Sequence, residues 1–255
     1  MIDIGVNIQH PFYLDDLEQF IQDFSQAGVK KLICISSDLG ETRLNQQLCE
    51  QNQQLYFTAG VHPHQAKTWH QESVCSIKKL LQSPKCLAVG EMGLDFDRNY
   101  STPEQQITAL EAQLAIAKET NKPVYLHERK AFTELTARLR DTNLAGVIHC
   151  FTGDQEQLAT YLDLGLYVGI TGWLLDERRN SELVEALNYL PLDRILLETD
   201  APYLTPRNVR PRPKRNHPKY LPVIAQAIAV QKGVDLEQLI QQTNKNNADL
   251  FGISD

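Results

Sequence analysis

Glu91, His127, His149 and Asp200 each close a short run of β-forming residues: "LAVGE", "PVYLH", "AGVIH" and "RILLETD". Two imidazoles and two carboxylates are donor types that hold zinc, manganese or iron, and sites with several carboxylates also accept magnesium. A cation would also offset the cost of gathering acids in a poorly solvated place. Each residue alone has a plainer reading. A histidine at a strand end is commonly a hydrogen-bonded structural residue, Glu91 could pair with an arginine, and Asp200 could cap the turn before Pro202. Taken together, four polar endings favour a divalent-metal site, with Asp200 binding the metal or its water. Glu198 shares the side-chain parity of Asp200 and would point inward one layer deeper, where a basic partner suits it better than the metal.

A second cluster, "TAGVHPHQA", places His62 and His64 on either side of Pro63. His62 could donate to a phosphate oxygen or act as acid or base near neutral pH, or it could belong to a structural turn stiffened by Pro63. The turn is the preferred reading of His64. The third group is basic: "RNVRPRPKRNHPK", from Arg207 to Lys219, carries six Lys/Arg and no Asp or Glu. Arginines such as Arg207 and Arg215 present a planar fork of donors suited to phosphate, although a solvated loop serving solubility is the alternative. Trp173, in "GITGW", could stack on a base or simply pack.

These residues need a scaffold that brings them together. Short apolar runs recur at Ile2–Ile8, Lys31–Ser36, Leu55–Val61, Cys86–Glu91, Val124–His127, Ala145–His149, Leu166–Ile170 and Arg194–Glu198. Between most of them lie stretches with helical spacing, such as Leu14, Leu17, Phe20, Ile21 and Phe24. Thr102-Pro103-Glu104 has the composition of a helix start. Alternating strands and helices imply βαβ units and a parallel sheet, and eight units are the number that closes a (β/α)₈ TIM barrel. In that fold the C-terminal strand ends share one mouth, which is where the polar endings fall. An open doubly wound sheet fits less well, because the first turn, "GVNIQHP", has no G-x-G-x-x-G. No linker or low-complexity tract divides the chain, so a single domain over residues 1–255 is expected.

The bulk numbers limit the function classes. A net charge of −7 argues against a general nucleic-acid coat protein, while leaving room for local attraction by the basic stretch. The five cysteines are scattered and form no C-x-x-C pair, which disfavours a zinc knuckle or disulfide framework. No run approaches the ~18 apolar residues of a membrane span, and the N-terminus lacks a signal-peptide pattern. A cytoplasmic protein with no membrane partner is expected. There is no P-loop and no G-x-S-x-G elbow, and Cys150 beside His149 is poorly placed as a nucleophile–base pair.

The fragments "AGVHPH", "VGEMGLDF", "LHERKAF", "IHCFTG", "GITGW", "LLETDAPYL" and "RNHP" run in this order across nearly the whole chain. Together they closely resemble the TatD family of metal-dependent deoxyribonucleases. The resemblance implies a TIM barrel and hydrolysis of phosphodiesters with Mg²⁺, or with Mn²⁺ or Zn²⁺ in its place. It further implies 3′–5′ exonuclease action on single-stranded DNA or RNA ends, a link to repair of oxidative DNA damage, and a monomer. Carried over by position, Glu91, His127 and His149 would be metal ligands and Asp200 a ligand or general base. His62 would lie close to the scissile phosphate, with His64, Arg207 and Arg215 as further contacts to substrate.

Two departures from the family pattern matter. Most relatives carry a His-x-His pair on the first strand, whereas this chain has Gly5 and Asn7. One ion is therefore expected and a second is in doubt. His217 stands where relatives often have Glu, which leaves the basic loop less neutralised. Two rival readings remain: a small-molecule amidohydrolase using the same metal, and a non-catalytic barrel that binds nucleic acid or protein.

Overall fold

A computed structural model describes residues 1–254. Eight parallel strands pair in chain order: β1 (Ile2–Val6), β2 (Lys31–Cys34), β3 (Leu55–Ala59), β4 (Cys86–Asp95), β5 (Val124–Arg129), β6 (Gly146–Ile148), β7 (Tyr167–Ile170) and β8 (Ile195–Leu197). The sheet curls back on itself. Val6 bridges Ala201 just past β8, and the Asn7 amide donates to the Ala201 carbonyl at 2.8 Å. With helices between the strands, this is the (β/α)₈ barrel expected from the alternation of elements.

Local chemistry sets the elements. β1 and β4 are buried along their whole length, as parallel strands covered on both faces are. The helix Pro103–Thr120 begins where Thr102-Pro103-Glu104 indicated. Thr102 Oγ1 accepts from the Gln105 amide at 3.3 Å, and Gln105 Oε1 accepts from the Thr102 amide at 2.9 Å, a reciprocal cap that satisfies two otherwise orphaned donors. The helix stops at Asn121, whose left-handed φ of 51° a short amide side chain tolerates.

Two apolar clusters hold the layers. One gathers Ile33, Ala88, Tyr125, Val147 and Leu196 with other strand residues and with Leu250, Phe251 and Ile253 near the C-terminus. A cluster drawn from so many strands forms only where they face one another, inside the barrel. The larger cluster lies between the strands and the surrounding helices. Among the described residues no helix is long and apolar enough to cross a membrane.

Strand boundaries differ from expectation at the C-terminal ends, where the site lies. β4 runs on past Glu91 to Asp95, paired with β5 through Gly93–His127 and Asp95–Arg129. β6 and β8 stop short, at Ile148 and Leu197, so His149, Glu198 and Asp200 sit on the segments just beyond. Asp200 has φ +55° and Cys150 φ +46°, left-handed conformations that turn the chain out of the barrel wall immediately above its last rung.

Candidate metal centre

The C-terminal strand ends surround a cavity of about 1000 Å³ whose walls include His62, Glu91, His127, His149 and Asp200. At its base one carboxylate oxygen gathers three imidazoles. Oε1 of Glu91 lies 2.8 Å from His149 Nε2, 3.0 Å from His127 Nδ1 and 3.3 Å from His62 Nε2. His127 Nδ1 and His149 Nε2 are themselves 3.3 Å apart. Side chains from four strands or strand ends thus converge on one small volume.

This donor set fits a divalent cation. His62, Glu91 and His127 each offer a ligand atom within 4.8 Å of the other two. His62 reaches the same carboxylate, but its Nδ1 accepts from the His64 amide, so the neutral ring carries its proton on Nε2 and donates to Glu91. Asp200 lines the same cavity, with Oδ1 accepting from Asn7 Nδ2 at 3.3 Å. Asn7 therefore serves Asp200.

Electrostatics separate the roles. Burial pushes His62 down to about 4, more than the Glu91 charge raises it, so its imidazole is neutral at physiological pH. Its Nδ1 accepts from the His64 amide at 3.0 Å, which leaves Nε2 facing Glu91. Burial alone would raise Glu91, but the imidazoles of His149 and His62 hold it well below the ordinary carboxylate range. Burial would lower His127 and His149. The Asp95 carboxylate beside Nε2 and the hydrogen bond with Glu91 raise the first, and the charges of Glu91 and Glu198 raise the second. Asp200 is pushed up to about 7, chiefly by burial, against the pull of His149 and with Glu198 and Glu91 adding to the rise.

Behind these groups is a supporting layer that the sequence reading missed in part. Asp95 is buried on the extension of β4. It accepts from the Arg98 amide at 2.8 Å and the Asp97 amide at 3.0 Å, lies 2.6 Å from His64 Nε2, and is 3.6 Å from His127 Nε2. His64 is thus tied to Asp95. Because Glu91 and Asp95 are four residues apart on one strand, their side chains share a face. Continuing β4 beyond Glu91 would have exposed that relationship. Glu198 is fully buried, as its parity implied, with the imidazole of His149 as the basic group beside it. It accepts from Tyr125 Oη at 3.0 Å and from the Cys150 amide, and lies 3.6 Å from His149 Nδ1. The Cys150 thiol is held far above its usual range by burial, as befits a residue with no nucleophilic role.

The basic stretch is placed differently from the expectation. Arg207 and Arg215 do not line the large cavity; its cationic walls are Arg98, Arg129, Lys130 and Arg179. Arg207 lies in a smaller adjoining cavity. Arg215 sits at the rim, 3.3 Å from His10 Nε2 and over the ring of Phe12. His217 faces away from the mouth, packed on Phe20 with ring centroids 4.7 Å apart. Trp173 borders the large cavity with one face covered by the Arg179 guanidinium, 3.6 Å from the ring centroid. Signals for Arg98, Arg129 and Lys130 were weak, because single basic residues in βα loops carry no pattern.

Comparisons with known proteins agree with this architecture. A family model described as TatD related DNase matches residues 2–252. A "3′-5′ ssDNA/RNA exonuclease TatD" from Edwardsiella piscicida is 45% identical over 260 aligned residues, covering all of both chains. One of the same description from Pantoea ananatis is 44% identical, covering 99% of this chain and all of the relative. The crystal structure of the TatD homologue YjjV from Escherichia coli superposes with a TM-score of 0.91 at 28% identity, over 99% of this chain and 98% of that one.

Proposed function

The chain belongs to the family of TatD-related DNases, and from that premise we propose that it is a metal-dependent hydrolase removing nucleotides from the 3′ ends of single-stranded DNA or RNA. The observation that carries the reading is the convergence of three imidazoles on one Glu91 oxygen at the base of a mouth with cationic walls. The rim adds two exposed aromatic rings, Tyr100 and Tyr203, each more than half accessible, which offer stacking faces to bases of any sequence.

His62, whose Nδ1 accepts from the His64 amide, would turn its Nε2–H toward the phosphate, and Glu91, His127 and His149 would hold the cation with Asp200 beside them as ligand or base. Bound there, it would polarise a phosphoryl oxygen and make an attached water more acidic. Two imidazoles favour Mn²⁺ or Zn²⁺ over the expected Mg²⁺, which prefers oxygen. Asp200 takes the proton of the attacking water; with a pKa near 7 it is matched to base catalysis at neutral pH, and Asn7 orients it. Asp95 and Glu198 lie 3.6 Å behind the outer ring nitrogens of His127 and His149, where outer carboxylates support metal-binding histidines electrostatically. Arg98, Arg129, Lys130 and Arg179 draw the phosphodiester backbone to the mouth. A monomeric, cytoplasmic enzyme acting on oxidatively damaged DNA completes the reading, on the strength of the family resemblance alone.

The test is digestion of a 5′-labelled single strand by the wild type and by Asp200→Asn, with and without EDTA. A loss of roughly 10²–10⁴-fold is expected for the variant, as for removal of a general base, and complete loss in EDTA. Equal activity of the two proteins removes Asp200 from the mechanism, and activity undiminished by chelation removes the metal.

A further inference from the structure

Beside the mouth lies a second cavity of about 240 Å³, walled by Trp173, Asp176, Arg178, Arg179, Arg207 and Arg212 among others. Trp173, Arg179 and Leu204 border both cavities, so the two are neighbours across a single partition. Within the small cavity three guanidinium groups face one carboxylate, and Arg212 completes the basic lining. Asp176 is only 4% exposed. It takes a two-pronged contact from Arg178 (Nε 2.7 Å, Nη2 2.6 Å) and a bond from Arg179 Nε at 2.9 Å, and it lies 3.7 Å from Arg207 Nε.

A structural ion pair needs one arginine for one carboxylate. Here three converge on Asp176, and Arg212 joins the same cavity. Crowding like charges is unfavourable unless a further anion shares them. Asp176 therefore works as an internal strut: it fixes the guanidinium planes while leaving most of their donors free. Fixed planar forks bind phosphate with little ordering cost. The loops that carry them are also fixed. A Cβ on Gly172 would meet Pro206 Cγ at 3.2 Å, so the segments after β7 and β8 pack closely only because that position is glycine.

We propose that this arginine cavity is a second phosphate subsite, holding the backbone of a single strand beyond the nucleotide at the metal centre. The proposal rests on the nuclease reading for its substrate and names the chain's own means of gripping a polymer rather than a small ester. It assigns Arg207 and Arg212 to the strand body, one subsite removed from the scissile phosphate, and gives the Arg179–Trp173 stack the role of partition between the two positions.

The test is metal-free binding of a 5′-fluorescein-labelled deoxythymidine decamer, measured by anisotropy in EDTA across a salt series. The full-length wild type is compared with Arg207→Ala/Arg212→Ala and with a charge-matched control, Lys118→Ala/Arg140→Ala, whose exposed residues lie at helix C-terminal ends away from the mouth. The cavity variant is expected to bind about tenfold or more weakly than the control, with a salt slope reduced by roughly 0.7 per lost phosphate contact. Circular dichroism establishes folding, and the single variant Arg212→Ala, at an exposed position, serves if the double variant is unfolded. Matching affinity and slope in cavity variant and control overturn the subsite. Wild-type turnover of the decamer with metal is a separate arm. If turnover is absent while the binding loss is present, the subsite stands and the nuclease reading falls.

Discussion

The carboxylate of Glu198 lies directly over Gly5: a Cβ built on Gly5 would come within 2.9 Å of Glu198 Oε2. The same atom would come within 2.8 Å of Tyr125 Oη, the group that donates to Glu198. The space a side chain at Gly5 would need is therefore filled by a hydrogen-bonded pair, Glu198 from the neighbouring strand end and Tyr125 from across the barrel. Both partners are fully buried and neither can retreat. Gly5→Ala is expected to cost about 1–3 kcal/mol through overpacking, lowering Tm by roughly 2–4 °C per kcal/mol. Gly5→His is expected to gain no second ion. Metal analysis of the purified variant checks this; two ions per chain would show that Glu198 yields the space.

Cation binding at the Glu91 cluster is expected to strengthen as pH rises from about 6 to 8. In the metal-free chain Asp200 is pushed up to about 7, and His127 and His149 are held above their ordinary value by Asp95, Glu91 and Glu198. A cation must displace those protons, so fewer bound protons mean tighter binding. Calorimetry with Mn²⁺ or Zn²⁺ in buffers of different ionisation heat reads the released protons directly. At a hundredfold excess over Kd the ion should stabilise the fold by about 2.7 kcal/mol, and Glu91→Gln should abolish the gain. An affinity that does not change with pH contradicts the assignment.

His217 predicts a loss of stability in mild acid that has nothing to do with the metal. Burial, with Lys219 adding to it, brings its pKa down to about 4. Its Nδ1 accepts from the Lys219 amide at 3.0 Å, a bond that protonation breaks. The folded state thus prefers neutral imidazole while the unfolded state takes up a proton near pH 6.5. Stability is unaffected above that value and falls as pH drops from about 6.5 to 4, by roughly 3 kcal/mol in all. Urea unfolding of the wild type and His217→Gln should give curves that converge as pH falls; a gap independent of pH refutes this.

Much of this was legible before the fold was known. Runs of β-formers located all eight strands, and their polar endings named Glu91, His127, His149 and Asp200, because buried parallel strands leave little other place for such residues. The parity of Glu198 with Asp200 gave its depth, and the basic neighbour is there in His149; its hydrogen-bond donor was not legible, since Tyr125 approaches from a strand far away in sequence. Asp95 was missed because β4 was ended at the first carboxylate instead of the second. Arg207 and Arg215 were assigned to the mouth by their position after β8, yet a long loop can lay its residues on either side of the rim. Residue type and order do not fix that path; the packing of Gly172 against Pro206 does.

The unequal strand lengths leave the rim lopsided. β4 and β5 stay paired up to Asp95 and Arg129, so this side rises about 13 Å above Glu91 at ~3.3 Å per residue. Across the barrel, β8 ends at Leu197 and the chain turns away at once. One side of the opening is thus rigid paired sheet, and the other is the loop that brings Tyr203 and Leu204 to the mouth. The sheet side gives the end of a thread a fixed stop.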